Sequence, residues 1–144
     1  MKQQDYQFSF ITPVGPEEAL EGIGDVSAWW AKKVEGSSHL LHDIFTVRFG
    51  DTFVRFEITE RIPGKKLVWY VTNCFLHWQN DKYEWKGTSV VWELEPAAEG
   101  TRVTMTHKGL VPEVECFQDC QRGWNDHVGN SLVRYLAERV GMPA

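Results

Sequence analysis

The sequence has few cysteines and no cluster of metal-binding residue types. Its 144 residues include three cysteines, Cys74, Cys116 and Cys120, which form no regular disulfide framework. An odd count without a framework predicts reduced thiols in a cytoplasmic protein. Cys116 and Cys120 are one helical turn apart, but a metal site needs three or four convergent ligands. No Cys/His pattern supplies them, so neither a metal nor another cofactor is expected.

Runs of basic residues and long apolar segments are also missing. The net charge is −5, and no stretch is rich in Lys or Arg, which argues against nucleic acid and anionic membranes as partners. No apolar segment reaches the length of a membrane span or follows a basic start. We therefore expect a cytoplasmic protein without stable membrane insertion, folded as one domain over residues 1–144.

Signatures of the common catalytic sites are absent as well. The sequence contains no G-x-S-x-G, no H-E-x-x-H and no phosphate-binding glycine loop. Nucleophilic catalysis needs a nucleophile, a base and an orienting group that converge in space, so no catalytic residue is assigned. An enzyme acting on a bound ligand would need polar groups that face one cavity. His107, Tyr70 and Glu84 are the candidates for that hypothesis, which stays open.

Aromatic residues, by contrast, are abundant. They make up 13% of the chain and include seven tryptophans. Few domains of this size need so many large rings to fill a solid core. Either the core is unusually aromatic, or some of the rings line a cavity. Trp29 and Trp30 are adjacent on a short predicted helix, so one of them is expected to face solvent or a cavity mouth.

The first 32 residues predict a strand followed by two short helices. Residues 4–12 alternate between apolar and polar side chains, as a half-buried strand does. Pro16, with two glutamates behind it, is typical of a helix start. Residues 25–32 form the second helix, with Asp25 as a candidate N-cap.

The rest of the sequence, after residue 32, predicts about five strands and one long helix. Residues 42–107 alternate with a period of two and include the hairpin signal Gly50-Asp51. Residues 73–87 are either a long loop or an extension of two strands. A helix is expected from near Pro112 or Glu113 to Gly141. Consecutive hairpins make an antiparallel meander, and only this helix is large enough to cover it.

The last helix carries two glycines beside its largest side chain. Its apolar face is predicted from Trp124, Val128, Leu132, Leu136 and Val140, which recur every four residues. Gly123 and Gly129 each cost about 1 kcal/mol relative to Ala. They either leave room for a pocket between helix and sheet, or allow tight packing of the helix on the strands without a cavity.

His107 continues the inward face that Val103 and Met105 begin, as Val90, Trp92 and Leu94 share a face of the preceding strand. A buried neutral imidazole there would orient a ligand or act as a base. The alternative is a histidine at the rim of the sheet, hydrogen-bonded to backbone or water. We favour the rim position because no partner residue converges on His107 in the sequence.

Four segments carry a resemblance to a known family: DVSAWW (25–30), WKGTSVVWELEP (85–96), EGTRVTMTHKGL (99–110) and GWNDHVGNSLVRYL (123–136). With them, the chain resembles the START-like proteins of the SRPBCC superfamily, which have the helix-grip fold. It is most similar to bacterial relatives of the activator of the heat-shock-protein-90 ATPase. The resemblance implies an α+β fold in which a curved antiparallel sheet wraps around a long C-terminal helix, with two short helices after strand 1.

The resemblance also implies a deep, mostly apolar cavity between the sheet and the last helix. Members bind lipids, polyketides, hormones and other hydrophobic small molecules, some are cyclases or dehydratases, and some modulate a chaperone. We expect a binding protein for a hydrophobic small molecule rather than an enzyme. A co-chaperone-like contact and a homodimer, for which Trp29 is a candidate contact, stay open. The expected cavity-lining residues are Trp30, Phe45, Val47, Phe56, Ile58, Trp69, Trp78, Trp92, Met105, His107, Gly123, Trp124 and Val128. The expected mouth or lid consists of Phe75, Leu76, Trp78, Tyr83 and Trp85.

Overall fold

The computed structural model describes residues 5–77, 79–80, 82–111 and 117–143. Its strands are β1 (Tyr6–Thr12), β2 (Lys33–Gly36), β3 (Ile44–Phe49), β4 (Thr52–Ile62), β5 (Lys66–Phe75), β6 (Ser89–Ala97) and β7 (Gly100–Lys108). Its helices are α1 (Pro16–Gly24), α2 (Val26–Trp29), α3 (Phe117–Asp126), a π-helical segment (His127–Leu132) and α4 (Val133–Glu138). The α+β order of one strand, two short helices, a series of strands and a C-terminal helix is thus confirmed.

All seven strands form one antiparallel sheet in the order β1-β7-β6-β5-β4-β3-β2. The order from β3 to β7 is the expected meander, and β1 closes it by pairing with β7. The hairpin at Gly50 connects β3 and β4, and Gly50 has a positive φ of 61°, a conformation that glycine adopts without steric cost. Strand β2 was not expected, because its four residues are mostly exposed and too few to show an alternation.

The C-terminal helix, residues 117–138, changes its winding in the middle. In a regular α-helix of 3.6 residues per turn, side chains spaced by four drift around the axis. The π-helical segment His127–Leu132 places more residues in each turn. It therefore keeps the four-spaced Trp124, Val128, Leu132 and Leu136 on one buried face.

The end of this helix differs from the prediction. It ends at Glu138, because Arg139 takes a left-handed conformation with φ of 61°. The predicted end at Gly141 is therefore wrong, and Val140 lies exposed beyond the helix. The predicted start, near Pro112 or Glu113, lies outside the described residues.

Large aromatic rings fill the centre of the space between sheet and helix. Trp69 on β5 and Trp92 on β6 are in T-shaped contact, with ring centroids 5.3 Å apart. Trp29 contacts both rings, and all three side chains are fully buried. The indole nitrogen of Trp29 donates to the carbonyl oxygen of Ile23 at 3.1 Å, which fixes α2 against α1. Trp29 is therefore a core residue, and the expectation that it could form a dimer contact is wrong.

The cysteines also differ from expectation. Cys120 is disulfide-bonded, whereas all three thiols were expected to be reduced. An odd cysteine count does not exclude a disulfide, which is why this prediction is wrong at Cys120. Cys74 is a buried thiol in β5, and Cys116 lies outside the described residues.

Candidate functional site

A cavity of about 250 Å³ lies at one end of the sheet, between the β3–β4 hairpin and the first turns of the C-terminal helix. Side chains of the hairpin, of the segment after β5 and of the helix border this space without filling it. The wall is mostly apolar and is formed by Trp30, Phe49, Thr52, Val54, Leu76, Trp85, Asp119, Cys120, Gly123, Trp124 and His127.

Gly123 forms the floor of this cavity on the helix side. A Cβ atom built at Gly123 would have no heavy atom outside the local helix within 4 Å. A side chain is therefore missing where the helix faces empty space, and Gly123 itself is part of the cavity wall. Of the two interpretations of this glycine, the structure supports the one in which it leaves room for a pocket.

Gly129, one and a half turns further on, serves close packing instead. A Cβ atom built at Gly129 would lie 3.1 Å from Cζ of Phe8 on β1, closer than most real contacts of a Cβ atom. Here the absent side chain allows the helix to approach the edge strand. The two glycines of the last helix therefore have different roles: Gly123 leaves room for a pocket, and Gly129 allows close packing against β1.

Three indoles of the wall are connected through Trp124. The rings of Trp85 and Trp124 are stacked, with centroids 5.8 Å apart and planes 10° from parallel. Trp30 also contacts Trp124, at 5.0 Å between ring centroids. The indole nitrogen of Trp85 lies 3.3 Å from Sγ of Cys120, which ties the 82–88 turn to the helix. The wall is thus a continuous aromatic surface with fixed rings.

His107 lies behind this wall and orients it. The indole N–H of Trp124 donates to Nδ1 of His107 at 3.0 Å. Since Nδ1 accepts, Nε2 carries the proton and donates to Oγ1 of Thr88 at 2.9 Å. The Thr88 hydroxyl in turn donates to the carbonyl oxygen of Trp85 at 2.6 Å. One hydrogen-bonded chain therefore positions Trp124 and the backbone of Trp85.

This arrangement keeps His107 neutral. Its side chain is fully buried, and burial lowers the pKa of His107 to about 3, because desolvation penalises the charged imidazolium. Both ring nitrogens already have protein partners, so neither is open to a ligand. The favoured expectation of a rim histidine is wrong, because the side chain of His107 is fully buried and both ring nitrogens bond to other side chains.

The polar groups of the cavity come from Thr52, Asp119 and His127. The hydroxyl oxygen of Thr52 accepts the backbone N–H of His77 at 3.0 Å. Asp119 lies 3.7 Å from the guanidinium of Arg122 on the same helix. The ring of His127 is stacked on Phe49, with centroids 6.1 Å apart, and burial lowers the pKa of His127 while the neighbouring Asp126 partly opposes the shift.

The structure divides the expected cavity-lining residues into four groups. Trp30, Gly123 and Trp124 line the cavity. His107 does not line it, but is hydrogen-bonded to Trp124 of the wall. Trp78 lies outside the described residues. The others are fully buried in the packed core beside the cavity and are not part of its wall: Phe45, Val47, Phe56, Ile58, Trp69, Trp92, Met105 and Val128. Their role in ligand binding stays a prediction.

Several wall residues were missed by sequence reasoning. Phe49 continues the alternation of Phe45 and Val47. Thr52 and Val54 continue that of Phe56 and Ile58, and this alternation is the signal that could have found them. Leu76 and Trp85 had been expected at a mouth or lid, and both line the cavity. Phe75 and Tyr83, from the same set, are in contact with each other outside its wall. Asp119, Cys120 and His127 precede or follow Gly123 by one helical turn, a spacing that could have identified them.

The candidate catalytic residues do not converge on this cavity. Tyr70 points to the outer face of β5 and is 38% exposed. Neither Tyr70 nor Glu84 belongs to the wall, and both nitrogens of His107 are occupied. Within the described residues, no group of three or more His, Cys, Asp or Glu side chains is arranged to hold a metal ion. No helix of the described chain is both long enough and apolar enough to cross a membrane.

Comparison with known families gives one match. Residues 27–137 match the family described as activator of Hsp90 ATPase homolog 1-like protein. The chain belongs to this family. The match spans α2 through most of the C-terminal helix and so includes every described element that lines the cavity. No curated protein matches the chain.

Solved structures agree with the helix-grip fold of this family member. The Aha1 dimer from Colwellia psychrerythraea superposes with a TM-score of 0.74 and 20% identity, over 96% of this chain and 98% of that one. A protein from Mesorhizobium loti also gives 0.74, at 16% identity over 96% of this chain and 100% of that one. DynU16, from the dynemicin biosynthetic locus, gives 0.64 at 23% identity, over 90% of this chain and 46% of its own. At these identities the likeness shows the fold alone.

Proposed function

We propose that the chain binds a small hydrophobic molecule in the cavity between Gly123 and the β3–β4 hairpin. The observation that carries this proposal is the unfilled space in front of Gly123. A glycine that costs helix stability and leaves an apolar hollow is difficult to explain by packing, whereas ligand sites are typically apolar clefts between elements.

The dimensions of the cavity favour a compact aromatic ligand over a long lipid chain. An apolar cavity of about 150 Å³ accommodates benzene, and pockets for drug-sized molecules begin near 300 Å³. The cavity here, about 250 Å³, lies between them. A molecule with one or two fused rings fits this size, and its faces would pack against the indoles of Trp30, Trp85 and Trp124.

Titration with naphthalene, followed in ¹H–¹⁵N spectra, tests the proposal. The sequence has seven tryptophans, so each indole N–H gives a separate probe. We expect saturable shifts of the Trp30, Trp85 and Trp124 signals, and smaller shifts for Trp69 and Trp92 in the packed core. Gly123→Leu would place a branched side chain in the cavity and abolish the shifts.

Gly15→Leu is the matched control. Gly15 also has open space around a built Cβ atom, has a φ of −70° that leucine adopts readily, and lies before α1, away from the cavity. Its spectra should respond to naphthalene as the wild type does. An unsaturable response, or equal binding by wild type and Gly123→Leu, would contradict the proposal.

Two further roles, dimerisation and a chaperone contact, are suggested by the comparisons and not by this cavity. The relative from Colwellia psychrerythraea is a dimer, and the family is named for an activator of a chaperone ATPase. A homodimer and a chaperone contact are therefore proposals for this chain. No described contact carries either of them.

A further inference from the structure

His127 is the polar side chain of the cavity wall that is best placed for a ligand. Its imidazole packs against Phe49 at 6.1 Å and Trp30 at 6.3 Å between ring centroids, so the ring is held by aromatic neighbours on two sides. Among the described residues, it makes no hydrogen bond and no ion pair. A half-buried imidazole without a partner gains a hydrogen bond when a ligand supplies one.

The side chains of Thr52, Cys120 and Asp119 in the wall already have partners. The hydroxyl oxygen of Thr52 accepts a backbone N–H from His77, Sγ of Cys120 lies within reach of the Trp85 indole N–H, and Asp119 is near Arg122. His127 therefore differs from the rest of the wall in having both ring nitrogens available.

The charges around His127 select against an anionic ligand. Burial lowers the pKa of His127, so the ring is neutral at pH 7 and offers one donor and one acceptor. Asp126 precedes it in the chain, Asp119 borders the cavity with Arg122 beside it, and the net charge of the protein is −5. A carboxylate ligand would be repelled by these groups, whereas a neutral hydroxyl can donate to, or accept from, the imidazole.

On the basis of the proposed binding function, we infer that the ligand is a neutral aromatic molecule of one or two rings with a hydroxyl group that hydrogen-bonds to His127. The rings occupy the space in front of Gly123, and the hydroxyl faces the helix one turn further on. His127 is thus a specificity-determining residue, and the class of ligand is phenols and naphthols rather than acyl chains or aromatic acids.

The affinities of naphthalene, 2-naphthol and 2-naphthoate for wild type and His127→Phe test this inference. One net hydrogen bond corresponds to about a fivefold gain in affinity. We therefore expect 2-naphthol to bind wild type about fivefold more tightly than naphthalene, and 2-naphthoate to bind more weakly than 2-naphthol. In His127→Phe, naphthalene should retain its affinity and the preference for 2-naphthol should vanish. His127→Leu repeats the test with a smaller side chain, should phenylalanine perturb the fold.

His77→Phe is the matched control, because His77 is an exposed histidine whose side chain does not line the cavity. It should keep the wild-type preference. The inference is overturned if naphthalene binds but 2-naphthol binds no better, if the preference survives in both His127 variants, or if 2-naphthoate binds most tightly. In these cases the proposed apolar site still stands. If none of the three compounds binds, the proposed function fails as well.

Discussion

At the scale of single residues, His107 links the ionisation of one group to the stability of the whole fold. Its two hydrogen bonds, from Trp124 and to Thr88, require the neutral ring with the proton on Nε2. Protonation of Nδ1 would break the bond from Trp124 and place a charge in the core. The residue therefore stabilises the aromatic wall only while it is neutral.

This gives a prediction for the pH dependence of stability. The pKa of His107 is about 3 in the folded protein and 6.5 in the unfolded chain, so only the unfolded chain takes up this proton between those values. Stability from His107 is complete above pH 6.5 and is lost as the pH falls toward 3. Between pH 7.5 and 5 the loss amounts to about 2 kcal/mol.

Urea unfolding of wild type and His107→Gln at both pH values isolates this contribution. Glutamine can accept from Trp124 and donate to Thr88 but does not titrate in this range. We expect the free energy of unfolding of the variant to fall less between pH 7.5 and 5 than that of wild type. An equal fall in the two proteins would show that His107 is not buried neutral.

At the scale of elements, the C-terminal helix has two glycines with different surroundings, and alanine distinguishes them. Gly123→Ala adds a methyl group in open space, so the helix gains the full propensity difference of about 1 kcal/mol. Gly129→Ala gains the same propensity but brings Cβ to 3.1 Å from Phe8, and the strain offsets part of it. Urea unfolding should therefore rank Gly123→Ala above Gly129→Ala. The opposite order would mean that the space at Gly123 is not empty.

The same helix shows which features of an element can be predicted from sequence. The four-residue spacing of Trp124, Val128, Leu132 and Leu136 predicted the buried face correctly. The spacing did not predict the π-helical segment that keeps these four residues on one face. Wider helical turns cost free energy that only contacts with the sheet compensate, and the spacing alone does not show those contacts. Strand β2, short and exposed, left no periodic signal at all.

At the scale of the whole molecule, the alternation of apolar residues predicted the meander and the inward faces of β6 and β7. Val90, Trp92, Val103 and Met105 are all fully buried, as expected. The position of the hollow was not predictable in this way. Alternation tells which side chains face inward, but the curvature of the sheet decides how far along each strand the helix covers it. For this reason Trp69 and Trp92 fill the core, whereas Phe49 and Val54, from the adjacent hairpin, border a cavity.

The proposed ligand binding requires an accessible, apolar and unfilled space in front of Gly123. Crystals of the wild type under xenon pressure test it most directly, because xenon enters apolar cavities and gives an anomalous signal. We expect a xenon peak between Gly123, Val54 and Trp124, and no peak there in Gly123→Leu. Ordered waters bonded to Thr52 and His127 in place of xenon, or side chains that close the space, would contradict the account.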